Sequence, residues 1–92
     1  RRALRPVARL SHSVIGISLS VATTEPGLQV YTGDAIDAGL IGLDQITYGP
    51  RSGLALETQV WPDAPNRPDF PSAFLAAGDV LHQETVYQFR LR

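Results

Sequence analysis

The sequence contains neither cysteine nor methionine. Without cysteine there is no disulfide framework, no thiolate metal site and no cysteine nucleophile, and the redox compartment cannot be inferred. The missing methionines include the initiator, because the chain begins with Arg1. We therefore expect the 92 residues to be a piece of a longer polypeptide rather than a complete gene product.

An excess of charge of either sign is also missing. Eight basic residues oppose nine acidic ones, which gives a formal net charge of -1. A balanced charge provides no electrostatic footprint for nucleic acid or for an anionic membrane, so we expect neither partner. Arginines crowd the first nine residues, but a short basic end without interleaved aromatics is more typical of a solvated tail than of a binding arm.

Long apolar runs are absent as well. No run approaches the ~18 residues that a membrane-spanning helix needs. No charged start followed by a long apolar middle marks a signal peptide. We therefore expect a soluble chain with a cytoplasmic location.

What the sequence does contain is period-two alternation of side-chain types. It is clearest at residues 15–22, where isoleucine, leucine and valine alternate with glycine, serine and alanine. Because small residues on the second face let neighbours pack closely, this strand is expected to be central in its sheet. Further strands are predicted at residues 6–10, 28–32, 53–61 and 80–91. Five strands without a convincing helix predict an all-β piece of sandwich or barrel type.

The connecting segments carry turn and loop signals. Pro26 and Gly27 stand in the order that a type II turn requires, with glycine accepting the positive φ, so the chain is predicted to reverse there. Glycines interrupt residues 33–49, which predicts a long loop of the kind that often borders a functional site. Prolines at every third position stiffen residues 62–71. A proline-rich protein-interaction ligand is less favoured there, since Arg67 is the only basic anchor.

One acid stands apart from its surroundings. Glu57 is the only ionisable side chain between Arg51 and Asp63, and it lies in an apolar strand. A carboxylate in such surroundings either has a charged or hydrogen-bonding partner or has a raised pKa. Alternation places it on one strand face with Gln59 and Trp61. The pattern alone nevertheless favours a solvent-facing acid on an antiparallel sheet.

Other polar candidates carry weaker signals. The aspartates of residues 33–49 lack the tight alternation of oxygen ligands that calcium loops have, so no metal site is predicted. His12 lies between two serines, and His82 falls on the outer face of the last predicted strand. Both are interpreted as surface histidines, because nothing in their spacing brings them beside Glu57 for proton transfer.

Four stretches combine, in order, into a pattern that covers most of the chain. They are T-T-E-P-G-L-Q-V-Y-T-G-D at residues 23–34, Y-G-P-R-S-G-L-A-L-E-T-Q at residues 48–59, W-P-D-A-P-N-R-P-D-F-P-S at residues 61–72, and A-G-D with T-V-Y-Q-F within residues 77–89. Together they resemble the aldose 1-epimerases, also called galactose mutarotases. Their number and order make the match more specific than any single short motif.

The resemblance implies a fold and two site residues. The fold is an antiparallel β-sandwich of the galactose mutarotase type, incomplete in this chain, with residues 1–92 as the carboxy-terminal part of a single domain. In that family the glutamate of L-E-T-Q is the catalytic base, which corresponds to Glu57. The glutamine of P-G-L-Q contacts the sugar, which corresponds to Gln29. The family's catalytic acid, a histidine, and its other sugar contacts lie upstream and have no counterpart here.

The reaction that the resemblance implies interconverts the α and β anomers of aldohexoses such as galactose or glucose. It needs only proton transfers, so neither a metal nor another cofactor is implied. We expect an isomerase as the intact protein and an inactive chain when these residues stand alone. Two other interpretations stay open. One is a non-catalytic carbohydrate-binding β-sandwich module, and the other is a structural unit whose open sheet edges are covered by self-association or by an upstream segment.

Overall fold

The computed structural model describes residues 2–91, and within them the chain is built from β-strands. Two short 3-10 turns lie at Leu43–Gln45 and Ala64–Asn66, and this part of the chain contains no α-helix. The all-β prediction is therefore confirmed. The strands are β1 (Arg5–His12), β2 (Ile17–Thr23), β3 (Gly27–Tyr31), β4 (Ala55–Gln59) and β5 (Thr85–Leu91).

The first sheet has the strand order β1-β2-β5, and both pairs are antiparallel. β2 lies between the other two strands, as its alternation predicts. Its register with β5 runs without interruption from Ile17 opposite Leu91 to Thr23 opposite Thr85. The register with β1 shifts between Pro6 and Ala8, which marks a bulge near the start of that strand.

A tight turn that depends on His12 joins β1 to β2. The backbone carbonyl of His12 accepts a hydrogen bond from the amide of Gly16 at 2.9 Å, and its Nδ1 accepts one from the amide of Ile15 at 3.3 Å. Gly16 has a φ of +72°, a conformation that glycine adopts without steric cost. His12 is exposed, as expected of a surface histidine, and its ring supports the turn.

The second sheet consists of β3 and β4, which are antiparallel. The loop predicted at residues 33–49 lies within their connection, residues 32–54. Hydrogen bonds join the two sheets: the Tyr87 hydroxyl donates to the Leu56 carbonyl at 2.9 Å, and the hydroxyls of Thr58 and Thr85 are 2.9 Å apart. The second sheet is thereby attached to the first through β4 and β5.

The turn predicted at Pro26 and Gly27 is wrong. Gly27 does not have a positive φ and is the first residue of β3. The chain does not fold back on β2 there, because β3 pairs with β4 in the other sheet. The segment between β2 and β3 therefore carries the chain from one sheet to the next.

The last strand is shorter than predicted, since it begins at Thr85 rather than at residue 80. β2 ends opposite Thr85, and Thr24 continues the pairing only through hydrogen bonds with Glu84. Residues 80–84 thus have no partner strand. The predicted inner face of this strand is also not covered, because every residue of β5 is exposed.

Few apolar side chains are buried in this part of the chain. Val21 and Ala64 are the buried hydrophobic residues among residues 2–91, whereas Phe74, Phe89 and Leu91 are more than 60% exposed. The radius of gyration is 16.9 Å, compared with about 12 Å for a compact domain of this length. The described strands therefore leave their apolar faces open. No helix in residues 2–91 has the length and hydropathy to span a membrane.

Candidate active site

The residues that the sequence marks as base and sugar contact lie side by side. In the register of the second sheet, Gln29 of β3 stands directly opposite Glu57 of β4. Residues directly opposite in an antiparallel pair project from the same face with Cβ atoms about 5 Å apart. The two residues thus occupy neighbouring strands, and their roles stay predictions.

The face that carries this pair is open to solvent. Both Gln29 and Glu57 are exposed, so the solvent-facing acid that the alternation favours is what the structure shows. Within residues 2–91 neither side chain is hydrogen-bonded to a neighbour. Tyr31, opposite Ala55, shares the face at one end, and Gln59, opposite Gly27, shares it at the other. The carboxylate of Glu57 and the side-chain amide of Gln29 are thus accessible to a polar ligand.

Tyr31 connects this face to the long loop. Its hydroxyl oxygen accepts a hydrogen bond from the amide of Ala35 at 2.8 Å. Tyr31 is 43% exposed, so part of its ring borders the site face without being covered by the loop. The loop predicted to border a site therefore begins beside it.

An ion pair closes the base of the same loop. Arg51 Nε donates to Asp34 Oδ1 at 2.8 Å, and the Thr32 hydroxyl donates to Asp34 Oδ2 at 2.7 Å. The Arg51 guanidinium, with the Thr32 hydroxyl adding to it, holds the pKa of Asp34 below its ordinary value of 3.8. Arg51 has a φ of +65°, so the chain bends sharply where the loop returns to β4. This contact ties the two ends of the loop together.

Trp61 lies at the other end of the face, just beyond β4. Its indole Nε1 donates to the carbonyl of Pro26 at 3.0 Å. A Cβ built on Gly27 would lie 2.8 Å from the indole Cδ1, so the ring sits against the glycine backbone. The ring of Phe70 packs edge-on against Trp61, with centroids 4.9 Å apart and an interplanar angle of 76°.

Asp63 organises the first part of the proline-rich loop. Asn66 Nδ2 donates to its Oδ1 at 2.7 Å, and Arg67 Nε donates to its Oδ2 at 3.0 Å. The Asn66 amide, followed by the Arg67 guanidinium, lowers the pKa of Asp63. Arg67 also lies over the ring of Phe70, 5.8 Å from the centroid. Arg67 thus has partners within the loop.

One large cavity reaches the end of the site face, because Gln59 lines it, but the paired residues themselves line neither of two large cavities. One of about 600 Å³ is lined by Glu25, His82 and Gln83 among others, and an open one of about 800 Å³ is lined by His12 among others. Neither lining includes Gln29 or Glu57, so the candidate site is the exposed sheet face and not a closed pocket. Within residues 2–91, no three His, Asp or Glu side chains gather as metal ligands.

Sequence reasoning missed a buried acid between β2 and β3. Glu25 is 8% exposed, and its carboxylate accepts hydrogen bonds from Gln83 Nε2 at 2.8 Å and from Arg2 Nη1 at 3.3 Å. Its amide donates to the hydroxyl of Thr23, which is fully buried. The sequence did contain a signal for this burial. Two threonines and an acid directly follow the predicted central strand at residues 15–22, and polar groups that are buried beside such a strand need hydrogen-bond partners.

The fold and the site together define a class of protein. It is an all-β chain of antiparallel sheets, with an exposed carboxylate and an exposed amide opposite each other on one sheet face. Comparison with known proteins then gives the family. The aldose 1-epimerase family model matches residues 2–88. The chain belongs to the aldose 1-epimerase family, and the resemblance carried by its four sequence stretches is confirmed.

Individual relatives support the same assignment. The galactose mutarotases of Mus musculus and Homo sapiens are 45% and 44% identical to this chain over 82 residues, which is 89% of the chain and 24% of each relative. The aldose 1-epimerase of Haemophilus influenzae is 36% identical over 88 residues, which is 94% of the chain and 26% of that protein. The chain thus spans about a quarter of the length of the curated relatives it matches.

Proposed function

We propose that these residues are the carboxy-terminal part of an aldose 1-epimerase β-sandwich domain and that they carry its general base, Glu57. The observation that supports the proposal most directly is the register of β3 and β4, which sets Glu57 opposite Gln29 on an exposed face. Membership of the family supplies the reaction class. The open apolar faces of the sheets support a larger sandwich around them.

The substrate of the proposed reaction is an aldohexose such as galactose or glucose. The Glu57 carboxylate accepts the proton of the anomeric hydroxyl, while an acid outside these residues protonates the ring oxygen. The O–H bonding pair becomes the new carbonyl bond at C1 as the bond from C1 to the ring oxygen breaks, which gives the open-chain aldehyde. Rotation about C1–C2 exposes the other carbonyl face, and the reversed proton transfers close the ring to the opposite anomer.

Gln29 has a complementary role in this proposal. An amide both donates and accepts hydrogen bonds, so it can engage a sugar hydroxyl whichever way that hydroxyl is oriented. From the adjacent strand it holds the sugar over Glu57, which leaves the carboxylate free to accept the anomeric proton. Holding the reacting groups in this arrangement replaces a chance encounter with an oriented one.

The test is polarimetry of α-D-galactose and α-D-glucose with the intact protein. Glu57→Gln keeps the size of the side chain and removes the base, so we expect the rate to fall by roughly 10² to 10⁴-fold. Glu84→Gln is the matched control, since Glu84 is also an exposed glutamate and lies outside the second sheet. Wild-type rates from Glu57→Gln would remove the base assignment.

The carbohydrate-binding alternative has a distinct signature in the same experiment. A wild-type protein that binds D-galactose in calorimetry but leaves its mutarotation at the uncatalysed rate would be a non-catalytic sugar-binding module. The exposed amide and carboxylate serve either function, so the rate and not the affinity decides between them.

A further inference from the structure

Trp61 lies on the same side of the second sheet as the proposed base. Side chains alternate along β3, so a Cβ on Gly27 would project from the face that carries Gln29. The atom nearest to that built Cβ is the indole Cδ1 of Trp61, at 2.8 Å. The indole therefore covers Gly27 on the Gln29 and Glu57 face. Gly27 and Gln29 are two residues apart, which places the ring about 7 Å along the strand from the paired site.

The orientation of this ring is held by three separate contacts. Its Nε1 donates to the Pro26 carbonyl, its edge rests on Gly27, and Phe70 packs edge-on against it. Arg5 Nη2 donates to the same Pro26 carbonyl at 3.3 Å, so the acceptor itself is tied to β1. The ring is thus fixed before any ligand arrives, and a fixed surface loses little conformational entropy on binding.

This fixed indole is not covered by the residues that hold it, because Trp61 remains 38% exposed. Ligand sites combine apolar or aromatic walls with a few placed polar groups. A pyranose has the matching character, since its hydroxyls need polar partners while its ring C–H groups form an apolar surface. Here the polar pair is Gln29 with Glu57, and the aromatic wall beside it is Trp61.

We propose that Trp61 is a substrate-contact residue whose exposed indole packs against the C–H surface of the aldohexose that Gln29 and Glu57 hold. The inference rests on the proposed function of that face. The contact orients the anomeric carbon towards the carboxylate, and Gly27 is required because any side chain there displaces the ring.

The first test measures D-galactose binding to the intact protein by calorimetry. Trp61→Leu is expected to weaken binding by about 3- to 10-fold, whereas Trp61→Phe, which keeps an aromatic wall but loses the donor to Pro26, recovers most of it. A purely structural pin predicts no such difference, because Phe and Leu both lose the hydrogen bond, so both variants would weaken binding and lower the Tm alike. Wild-type affinity in Trp61→Leu overturns this inference alone. Failure of the wild-type protein to bind any aldohexose overturns the proposed function with it.

The second test displaces the Trp61 ring by a substitution at the neighbouring Gly27. Gly27→Ala is expected to weaken binding in the wild-type background and to have a smaller effect in the Trp61→Leu background, where the Cβ has no indole to displace and meets only the Gln59 carbonyl oxygen at 3.1 Å. Gly53→Ala is the matched control, because a Cβ there meets nothing within 4 Å. Equal losses from Gly27→Ala in both backgrounds would contradict the contact.

Fluorescence gives a readout that does not depend on catalysis. Trp61 is the only tryptophan of these 92 residues, and the difference between wild-type and Trp61→Phe emission isolates its signal in the intact protein. Added D-galactose is expected to change that difference in Glu57→Gln protein, in which the proposed base is absent. A sugar that binds without altering the Trp61 emission would overturn the contact.

Discussion

Gln29 and Glu57 offer a sugar different hydrogen-bonding capacities from adjacent strands. The amide both donates and accepts, whereas an ionised carboxylate only accepts. Within residues 2–91 no donor occupies the Glu57 carboxylate, so its lone pairs are available for the anomeric proton in the proposed reaction. The two residue types and their register support the proposed division of work, in which Gln29 holds the sugar and Glu57 accepts the proton.

This division predicts different kinetic effects at the two positions. Gln29→Leu keeps the approximate volume and removes the hydrogen bond of the amide to the sugar, which is worth about 0.5 to 1.5 kcal/mol. We expect KM for α-D-galactose to rise roughly 3- to 10-fold while kcat changes less, because the contact is made in both ground and transition states. Steady-state polarimetry measures both constants.

Gln88→Leu is the control for that measurement, since Gln88 is an exposed glutamine on β5 of the other sheet. Its KM should match the wild-type value. A fall in kcat at unchanged KM for Gln29→Leu would contradict a holding role and would favour a direct part in the proton transfer.

Backbone hydrogen bonds between its two ends close the connection from β3 to β4 at its base. The Gly33 carbonyl accepts amide hydrogen bonds from Ile36 at 3.2 Å and from Arg51 at 2.9 Å. Gly33 is buried with a φ of +76°, and a Cβ there would lie 2.7 Å from the Gly53 carbonyl oxygen. Only glycine fits this crossing without a backbone shift. The site face thus ends at a closed loop base.

The closure of this loop is expected to depend on pH through Asp34. Its pKa is lowered below 3.8, chiefly by Arg51. A depressed folded-state pKa means that the contact stabilises the fold above the ordinary pKa and is lost as the pH falls through the folded value. Carbon-detected NMR titration of the Asp34 carboxyl should therefore show a midpoint below 3.8. Arg51→Ala should move that midpoint upwards.

Arg67→Ala provides the reciprocal control for the titration. It should raise the pKa of Asp63, which Arg67 helps to lower, and leave Asp34 unchanged. An Asp34 midpoint that is the same with and without the Arg51 guanidinium would show that the ion pair does not persist in solution.

The molecule as a whole has more apolar surface than its own residues cover. Val80, Phe74 and Leu91 are more than 80% exposed, and the buried side chains include the polar Thr23 and Glu25. Large exposed apolar patches mark interaction surfaces, and these side chains are candidates for such a surface. In the proposed larger sandwich, further contacts cover these exposed side chains.

The proposal therefore predicts the behaviour of the isolated 92-residue chain. It should leave the mutarotation of α-D-galactose at the uncatalysed rate, because the acid that protonates the ring oxygen lies outside these residues. It should also bind a hydrophobic dye such as ANS, because its apolar faces are open. The intact protein at equal molarity is the control. Catalysis by the isolated chain would require an acid within it and would bring His12 or His82 back as candidates.

The positions of strands were predictable from the sequence where the alternation of side chains was strong. The predicted strand boundaries were wrong where pairing with another strand decides them. The central place of β2 followed from its small second face. The late start of β5 did not, because residues 80–84 were predicted as part of the strand but β2 ends before it can pair with them. Gly27 was misassigned for a related reason: Pro-Gly is a local turn signal, but pairing with Gln59 makes the glycine part of a strand.

For the candidate site, the sequence by itself determined the residue types, the face that each strand presents and the family. Alternation is a local property of extended backbone, so Glu57 and Gln59 share a face however the strand is placed. Only the tertiary structure decided that Gln29 stands opposite Glu57, that Trp61 covers Gly27 and that Glu25 is buried. These depend on register and on contacts between distant segments, and a slip of one residue would turn Gln29 to the other face of the sheet.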